Sequence, residues 1–309
     1  MAPFAPGSIA VLLAPHDLAP EQIVEELLAD AHAAEASGFD GVLVSEHHAG
    51  LAGYVPNPLQ VTGWALGETR RLWGAPCPLL LPLRATGIVA EEAAWLSARF
   101  PGRVGLGVGA GAAPADFEVA AQPIAERTAR YKAALPELDA LLSGGAAPPL
   151  ALDPAVARCA VEPIPVVSAA ATVFGVRLAA RAGAGIMLDG LSPLPWSSQL
   201  SEEYRQAGGR GRIVLSRRVW LGEPPLSQAS DDVERYRSFT PAERHDRITA
   251  DDSMIVGDTA EQAALLLDAA RRSTLADCLS LRVNLPGLTP AAVREQIGRL
   301  GTEVLPLLR

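Results

Sequence analysis

Cysteine is scarce in this chain: Cys77, Cys159 and Cys278 are the only three in 309 residues, far apart and without a CxxC pair. An odd set with that spacing encodes neither a disulfide framework nor a zinc site, and it fits a reducing cytoplasm. Positive charge is also short, with 26 Lys and Arg against 35 Asp and Glu, a formal charge of -9 and a pI near 5.1. A surface that tracks phosphates needs the opposite balance, which argues against nucleic acid and anionic membranes as partners. The five tryptophans are scattered and build no stacking platform for bases. No apolar stretch approaches the roughly 20 residues of a spanning helix, and the first residues carry no basic leader. The expectation is a soluble protein that acts on a small organic molecule. No GxGxxG follows the first strand, where Pro15-His16-Asp17-Leu18 stands instead, and no HxH pair marks a metal-dependent barrel hydrolase. No metal is expected.

What is present is a regular alternation. Short β-branched or leucine-rich runs occupy 8–14, 41–45, 75–83, 104–109, 164–168, 185–189, 213–221 and 279–283. Segments of helical periodicity follow them at about 20–37, 57–68, 88–99, 124–143, 172–183, 197–207, 258–272 and 289–300. Eight strand-helix units in sequence predict an α/β fold, a single (β/α)8 TIM barrel spanning 1–309. Two stretches, about 144–163 and 224–253, are rich in Pro, Ser and acidic residues and read as irregular insertions, the second a lid near the barrel mouth.

The most informative segment is Gly41-Val42-Leu43-Val44-Ser45-Glu46-His47-His48, a buried strand that stops in three titratable side chains. In a parallel α/β protein the carboxyl ends of the strands are where chemistry is placed. An imidazole with an ordinary pKa of about 6.5 takes and returns protons near neutral pH, so His47 is the candidate proton-transfer residue; the alternative is a histidine that caps the strand end. Glu46 is placed to orient it or to raise its basicity. Adjacent side chains on extended backbone face opposite ways, so only one of His47 and His48 is expected in the site unless the strand has already turned. His16 reads as part of a turn, with a substrate contact at the rim as the alternative, Arg84 as either a charge-neutralising group at the mouth or a solvated rim residue, and Arg217, Arg218, Arg282 and Asn284 as substrate or core ion-pair groups. The glycines at 105, 107, 109 and 111 let a backbone approach a flat ligand or a neighbouring strand.

The strand-two motif Val44-Ser45-Glu46-His47-His48 with Asn57-Pro58 resembles the bacterial luciferase-like flavin-dependent monooxygenase family. Leu81-Pro82-Leu83-Arg84, Gly102-Arg103-Val104-Gly105-Leu106-Gly107-Val108-Gly109, Asp116-Phe117-Glu118 with Arg127, Ile255-Val256-Gly257-Asp258-Thr259-Ala260-Glu261 and Glu303-Val304-Leu305-Pro306 are similar to its other units, in matching order. The resemblance implies a luciferase-like barrel that holds reduced FMN, or a deazaflavin coenzyme, at the strand ends, with His47, Glu46 and His48 as catalytic candidates. It implies a cis bond at Cys77-Pro78 beneath the flavin, ring contacts at Gly109 and Ala110, and a phosphate site made by Arg127, Ser168 and Thr172. The expected activity is oxygen insertion into a small organic substrate, with electrons from a separate flavin reductase. Deazaflavin-dependent hydride transfer and a non-catalytic partner subunit are the alternatives. A homodimer through the 57–68 and 88–99 helices is also implied. Ala110, Thr86-Gly87 and Ala184 depart from the family pattern and bear on cofactor affinity.

Overall fold

Eight of the ten strands are buried along their whole length, as expected of parallel strands covered by helices outside and side chains within. The computed structural model describes residues 1–240, 245, 248 and 254–309. Along the chain the elements are β1 (Ile9–Leu13), α1 (Pro20–Ala36), β2 (Gly41–Val44), α2 (Pro58–Glu68), β3 (Trp73–Pro76), β4 (Leu79–Leu80), α3 (Thr86–Arg99), β5 (Leu106–Gly109), α4 (Pro114–Val119), α5 (Arg127–Leu142) and α6 (Pro154–Arg158). The second half contains β6 (Val166–Ala169), α7 (Val173–Ala182), β7 (Gly185–Leu188), α8 (Leu194–Gln206), β8 (Ile213–Leu221), α9 (Leu226–Phe239), β9 (Met254–Gly257), α10 (Ala260–Ser273), β10 (Cys278–Arg282) and α11 (Pro290–Arg299).

All ladders are parallel, in the order β3-β2-β1-β10-β8-β7-β6-β5-β4. The two ends of that list are halves of one stave. β3 pairs with β2 and β4 with β5, and the break between them is the cis Cys77-Pro78 bond. A bridge from Gly74 to Val104 joins the lower halves, so eight staves surround one lumen, as the strand count anticipated. β9 is a ninth strand that the sequence reading passed over, beside the last four residues of β8.

Period-two alternation sorts each stave. Ile9, Val11, Leu13, Val42 and Val44 face the helices, while Ala10, Leu12, Leu43, Trp73, Ala75, Cys77, Val167, Met187, Val214 and Cys278 pack inside the barrel. Trp73 fills the lumen, edge-on to Phe4 at 5.2 Å. The strand-five glycines make the space a neighbouring strand needs, since a Cβ on Gly107 would lie 2.0 Å from Cys77 Sγ. All three cysteines are buried and unpaired.

Helix starts are written locally. Asn57, Thr172, Thr259 and Thr289 each accept a backbone N–H with the side chain at the N-cap, and Pro58 and Pro290 occupy first-turn positions. The two stretches read as irregular are partly ordered. The first contains α6, capped by Asp153, and the second contains the fourteen-residue α9. Residues 241–244, 246–247 and 249–253 of that second stretch lie outside the described residues. Among the described residues no helix is long and apolar enough to cross a membrane.

Candidate active site at the barrel mouth

Beyond the last hydrogen bonds of β2 the alternation continues: Leu43, Ser45 and His47 point to the lumen, and Glu46 points away. His47 Nδ1 lies 2.7 Å from Asp116 Oδ2, and the other oxygen of the same carboxylate accepts the His48 backbone N–H at 2.7 Å. Asp116 is 1% exposed. A carboxylate can only accept here, so Nδ1 carries the proton and proton exchange is directed to Nε2. The His47 ring stands edge-on to Tyr54, with 4.4 Å between centroids.

Glu46 serves a different structure. Its Oε1 takes bonds from His48 Nε2 at 2.9 Å and from the Arg84 guanidinium at 2.7 Å, and its Oε2 accepts Leu80 N–H at 2.6 Å. Its own N–H donates to Pro78 O. Glu46 thus clamps β2 to the interrupted stave, with Ser45 Oγ donating to Cys77 O at 2.7 Å beside it. Burial pushes its carboxyl above the usual range, against the pull of Arg84, the Leu80 N–H and His48. Two expectations are corrected here: Glu46 orients His48 rather than His47, and Arg84 is the partner of a buried carboxylate rather than a solvated or ligand-facing cation.

His47 opens onto a cavity of about 650 Å³, within the range of cofactor sites. Its wall runs from Pro78 and Leu80 over Gly109 and Ala110 to Ser168, and ends at Arg127, Thr172 and Gly175 at the α7 N-terminus. This one cavity therefore collects His47, Pro78, Gly109, Ala110, Arg127, Ser168 and Thr172 from the expected set. Glu46 and His48 do not line it, and Cys77 lies beneath, its thiol pushed up by burial and packed against Met187 Sδ at 3.0 Å. Ser168 is turned to α5, where its Oγ meets Tyr131 OH at 2.7 Å; that phenol also donates to Val108 O at 3.1 Å. Thr172 Oγ1 accepts Gly175 N–H as the N-cap of α7. Arg127 is half-buried, with a bond of 3.4 Å to Ile124 O.

An inner pocket of about 240 Å³ adjoins this cavity and shares His47, Pro78, Asp189 and Tyr236 with it. Arg218 and Arg282, paired in register on β8 and β10, stand in its wall. Asp232 of α9 reaches both, contacting Arg218 and, at 3.4 Å, Arg282, and it also contacts Arg235. Burial lowers Arg218 to about 10, with repulsion from Arg282 adding and Asp232 opposing. Arg217 faces outward and donates to Ser192 O at 2.7 Å, and Asn284 donates to Ala14 O. His16 is buried, with Nε2 3.7 Å from Asp30, and lines a separate chamber of about 280 Å³. His32 is half exposed, as expected of a surface helix. His245 is part-buried and bonded to Arg237 O and Thr240 O. Among the described residues no cluster of His, Cys, Asp or Glu is placed to hold a metal ion.

Sequence reasoning passed over Asp116 as a working residue, together with Tyr54, Tyr131, Asp189 and Asp232. Asp116 sits in a motif noted for resemblance, but its tie to His47 spans 69 residues and leaves no local mark.

The fold and this rim define a class: a parallel barrel whose strand ends open onto one long slot beside a histidine held by a carboxylate. The profile of the luciferase-like monooxygenases matches residues 9–300, and the chain belongs to that family. It is similar to the 4-hydroxyprotoasukamycin monooxygenase of Streptomyces nodosus subsp. asukaensis, 31% identical over 181 residues that make up 55% of this chain and 49% of that protein. It is likewise similar to the F420-dependent glucose-6-phosphate dehydrogenase of Beutenbergia cavernae, 34% identical over 175 residues that make up 52% of each. The chain thus spans about half the length of these curated relatives. Among solved structures, a monooxygenase from Streptomyces bottropensis superimposes with a TM-score of 0.81 at 22% identity, covering 97% of this chain and 99% of that one. The oxygenating constituent of 3,6-diketocamphane monooxygenase from Pseudomonas putida, in complex with FMN, gives 0.75 at 17%, with 97% and 98% covered. At those identities the structural likeness speaks for the fold alone.

Proposed function

We propose that this chain is a flavin-dependent oxidoreductase, a monooxygenase that uses reduced FMN and dioxygen on a small organic carbonyl or related compound. One observation carries the reading. A single cavity has a carboxylate-held imidazole at one end and, at the other, the α7 N-terminus with Arg127, a donor set suited to a dianion. The residues between fit a flat ring system: Pro78, Gly109 and Ala169 are small, and a Cβ on Gly109 would already stand 3.1 Å from Pro78.

In this reading Arg127 and the α7 backbone amides hold the phosphate. Pro78, Gly109 and Ala110 form the bed of the ring, and Tyr131 holds Ser168 in place from behind. A reduced flavin bound there supplies the electrons that activate oxygen. His47 gives and takes the proton at Nε2, while Asp116 holds Nδ1. Leu191, Trp196 and Ile248 in the cavity wall limit water. Glu46 and His48 act on the geometry of the bed rather than on the substrate.

A second reading, hydride transfer with a deazaflavin coenzyme, is supported by the F420-dependent relative from Beutenbergia cavernae. Titration with FMN and with the deazaflavin coenzyme, each oxidised and reduced, separates the two. Saturable binding of reduced FMN supports the first, preference for the deazaflavin the second, and binding of neither leaves a non-catalytic partner subunit.

The proposal includes a separate flavin reductase, since the sequence carries no nicotinamide fingerprint. It also includes a single barrel domain over the whole chain, a reducing cytoplasmic setting in keeping with three unpaired cysteines, and a homodimer. Trp64 on α2 and Ile88 and Trp95 on α3, 40%, 52% and 55% exposed, support the dimer face. Sedimentation equilibrium checks the dimer directly.

A further inference from the structure

We propose that Tyr54 sets the length limit of the substrate by closing the inner pocket against the side chamber. The proposal rests on the reading of this mouth as the substrate site of a flavin-dependent enzyme.

Two spaces flank this ring. On one side is the inner pocket of about 240 Å³ that holds His47, Ser45, Ser216 and Met187. On the other is the chamber of about 280 Å³ between the segment from Gly50 to Pro56 and the segment from Asn284 to Leu288. Among the described residues, Tyr54 is the one that lines both. Its ring is fixed from three directions. It stands edge-on to His47 at 4.4 Å, edge-on to Tyr236 at 6.4 Å, and 5.9 Å from the Arg282 guanidinium. The chamber behind it is mostly apolar, with Ile23, Leu51, Val55, Pro56, Leu285 and Leu288 in its wall.

An apolar cavity of about 150 Å³ accepts a benzene-sized ring, so the inner pocket alone suits a compact substrate of roughly ten non-hydrogen atoms. Removing the Tyr54 ring roughly doubles the space by joining the chamber to it. The added volume points away from the flavin cavity and takes an apolar tail while the reacting group stays at His47. The native enzyme is therefore selective for compact, cyclic or short-chain compounds, and its discrimination against long chains resides in one aromatic ring.

The backbone does not depend on that ring. Val55 N–H donates to Ser45 O, His47 N–H donates to Val55 O, and Arg235 donates to Ala52 O. Tyr54→Ala is accordingly expected to fold, with the loop held in place.

The test uses the full chain and two probes, cyclohexanone and 2-dodecanone, titrated calorimetrically into the native protein, Tyr54→Phe, Tyr54→Ala and the double variant Tyr54→Ala with Leu288→Trp. Each buried methylene is worth about fourfold in affinity. Tyr54→Ala should therefore bind the long ketone at least tenfold more tightly than the native protein does. Tyr54→Phe should behave as native, because the ring and not the hydroxyl forms the wall. Leu288→Trp should refill the chamber and cancel the gain. An unchanged ratio of long to short ketone in Tyr54→Ala, or native protein that binds both equally, overturns the proposal. FMN titration of the same proteins is the separate control. Loss of flavin binding in the native protein defeats the functional reading, whereas a normal flavin isotherm with no change in ketone selectivity defeats the role of Tyr54 alone.

Discussion

Replacing Asp116 by Asn changes almost no volume and removes one charge, which makes it the sharpest probe of how His47 is held. The native carboxylate accepts two hydrogen bonds, from His47 Nδ1–H and from His48 N–H, both at 2.7 Å. An amide offers one oxygen. The His48 N–H is backbone and cannot change, so the oxygen stays with it and the NH2 group faces Nδ1. His47 must then turn Nδ1 into an acceptor and place its proton on Nε2, the nitrogen that exchanges protons in the proposed chemistry. Losing one charge-assisted bond costs about 1.5–3 kcal/mol, within what a fold of this size tolerates. A correctly placed acid-base group is worth about 10²–10⁴ in rate, and most of that range should be lost. The tautomer is read by ¹⁵N chemical shifts of histidine-labelled protein without any cofactor, with His47→Gln assigning the signal. The native protein should show a proton on Nδ1 and Asp116→Asn a proton on Nε2. An identical tautomer in both proteins refutes the reasoning even if activity falls.

Three further outcomes follow from the geometry. Arg127→Ala should weaken FMN by about tenfold, the low end of a charge-assisted contact because the side chain is half exposed, while riboflavin, which has no phosphate, binds unchanged. Gly107→Ala forces a methyl to 2.0 Å from Cys77 Sγ and 3.0 Å from its Cα, an overpacking that should cost several kcal/mol and be seen as a large fall in Tm or loss of soluble protein. Burial raises Asp139 from 3.8 to about 6, so its ionised form is penalised in the folded chain. The penalty is full above about pH 6 and vanishes as pH falls below 3.8. Asp139→Asn should therefore raise stability at pH 8, on the order of 1 kcal/mol after solvent screening at this half-buried position, and lose that advantage by pH 4. Paired denaturation curves at the two pH values check it.

The eight staves were legible because parallel strands must be apolar on both faces, and runs such as Val42-Leu43-Val44 carry that signature wherever they occur. β9 was missed because four residues, Met254–Gly257, are too few for periodicity to speak. α9 is hidden in the sequence because Pro224-Pro225 and its serines and acids look like a loop. Among its described side chains the apolar anchors are Ala229, Val233 and Tyr236, and its deepest contact is a carboxylate, Asp232, that meets arginines from two strands. The site divides in the same way. Local alternation placed His47 and His48 on opposite sides, which the structure bears out. The partner of His47 is not legible in the same way: adjacency in sequence favours Glu46, while extended backbone sends Glu46 away from His47 and leaves the position to Asp116, on a short helix after the fifth strand. Contacts made across the barrel are set by the closure of the sheet, and no window of sequence contains both partners.

A flavin-type ring in the slot between Pro78, Gly109 and His47 is the feature on which the proposed chemistry depends. The structure of the complex with reduced FMN measures that directly. The ring is expected over the Cys77-Pro78 bond with its reacting edge toward His47 Nε2 and its phosphate between Arg127 and the α7 N-terminus. A ring bound elsewhere, or reversed so that the phosphate meets Arg218 and Arg282, contradicts the proposed function.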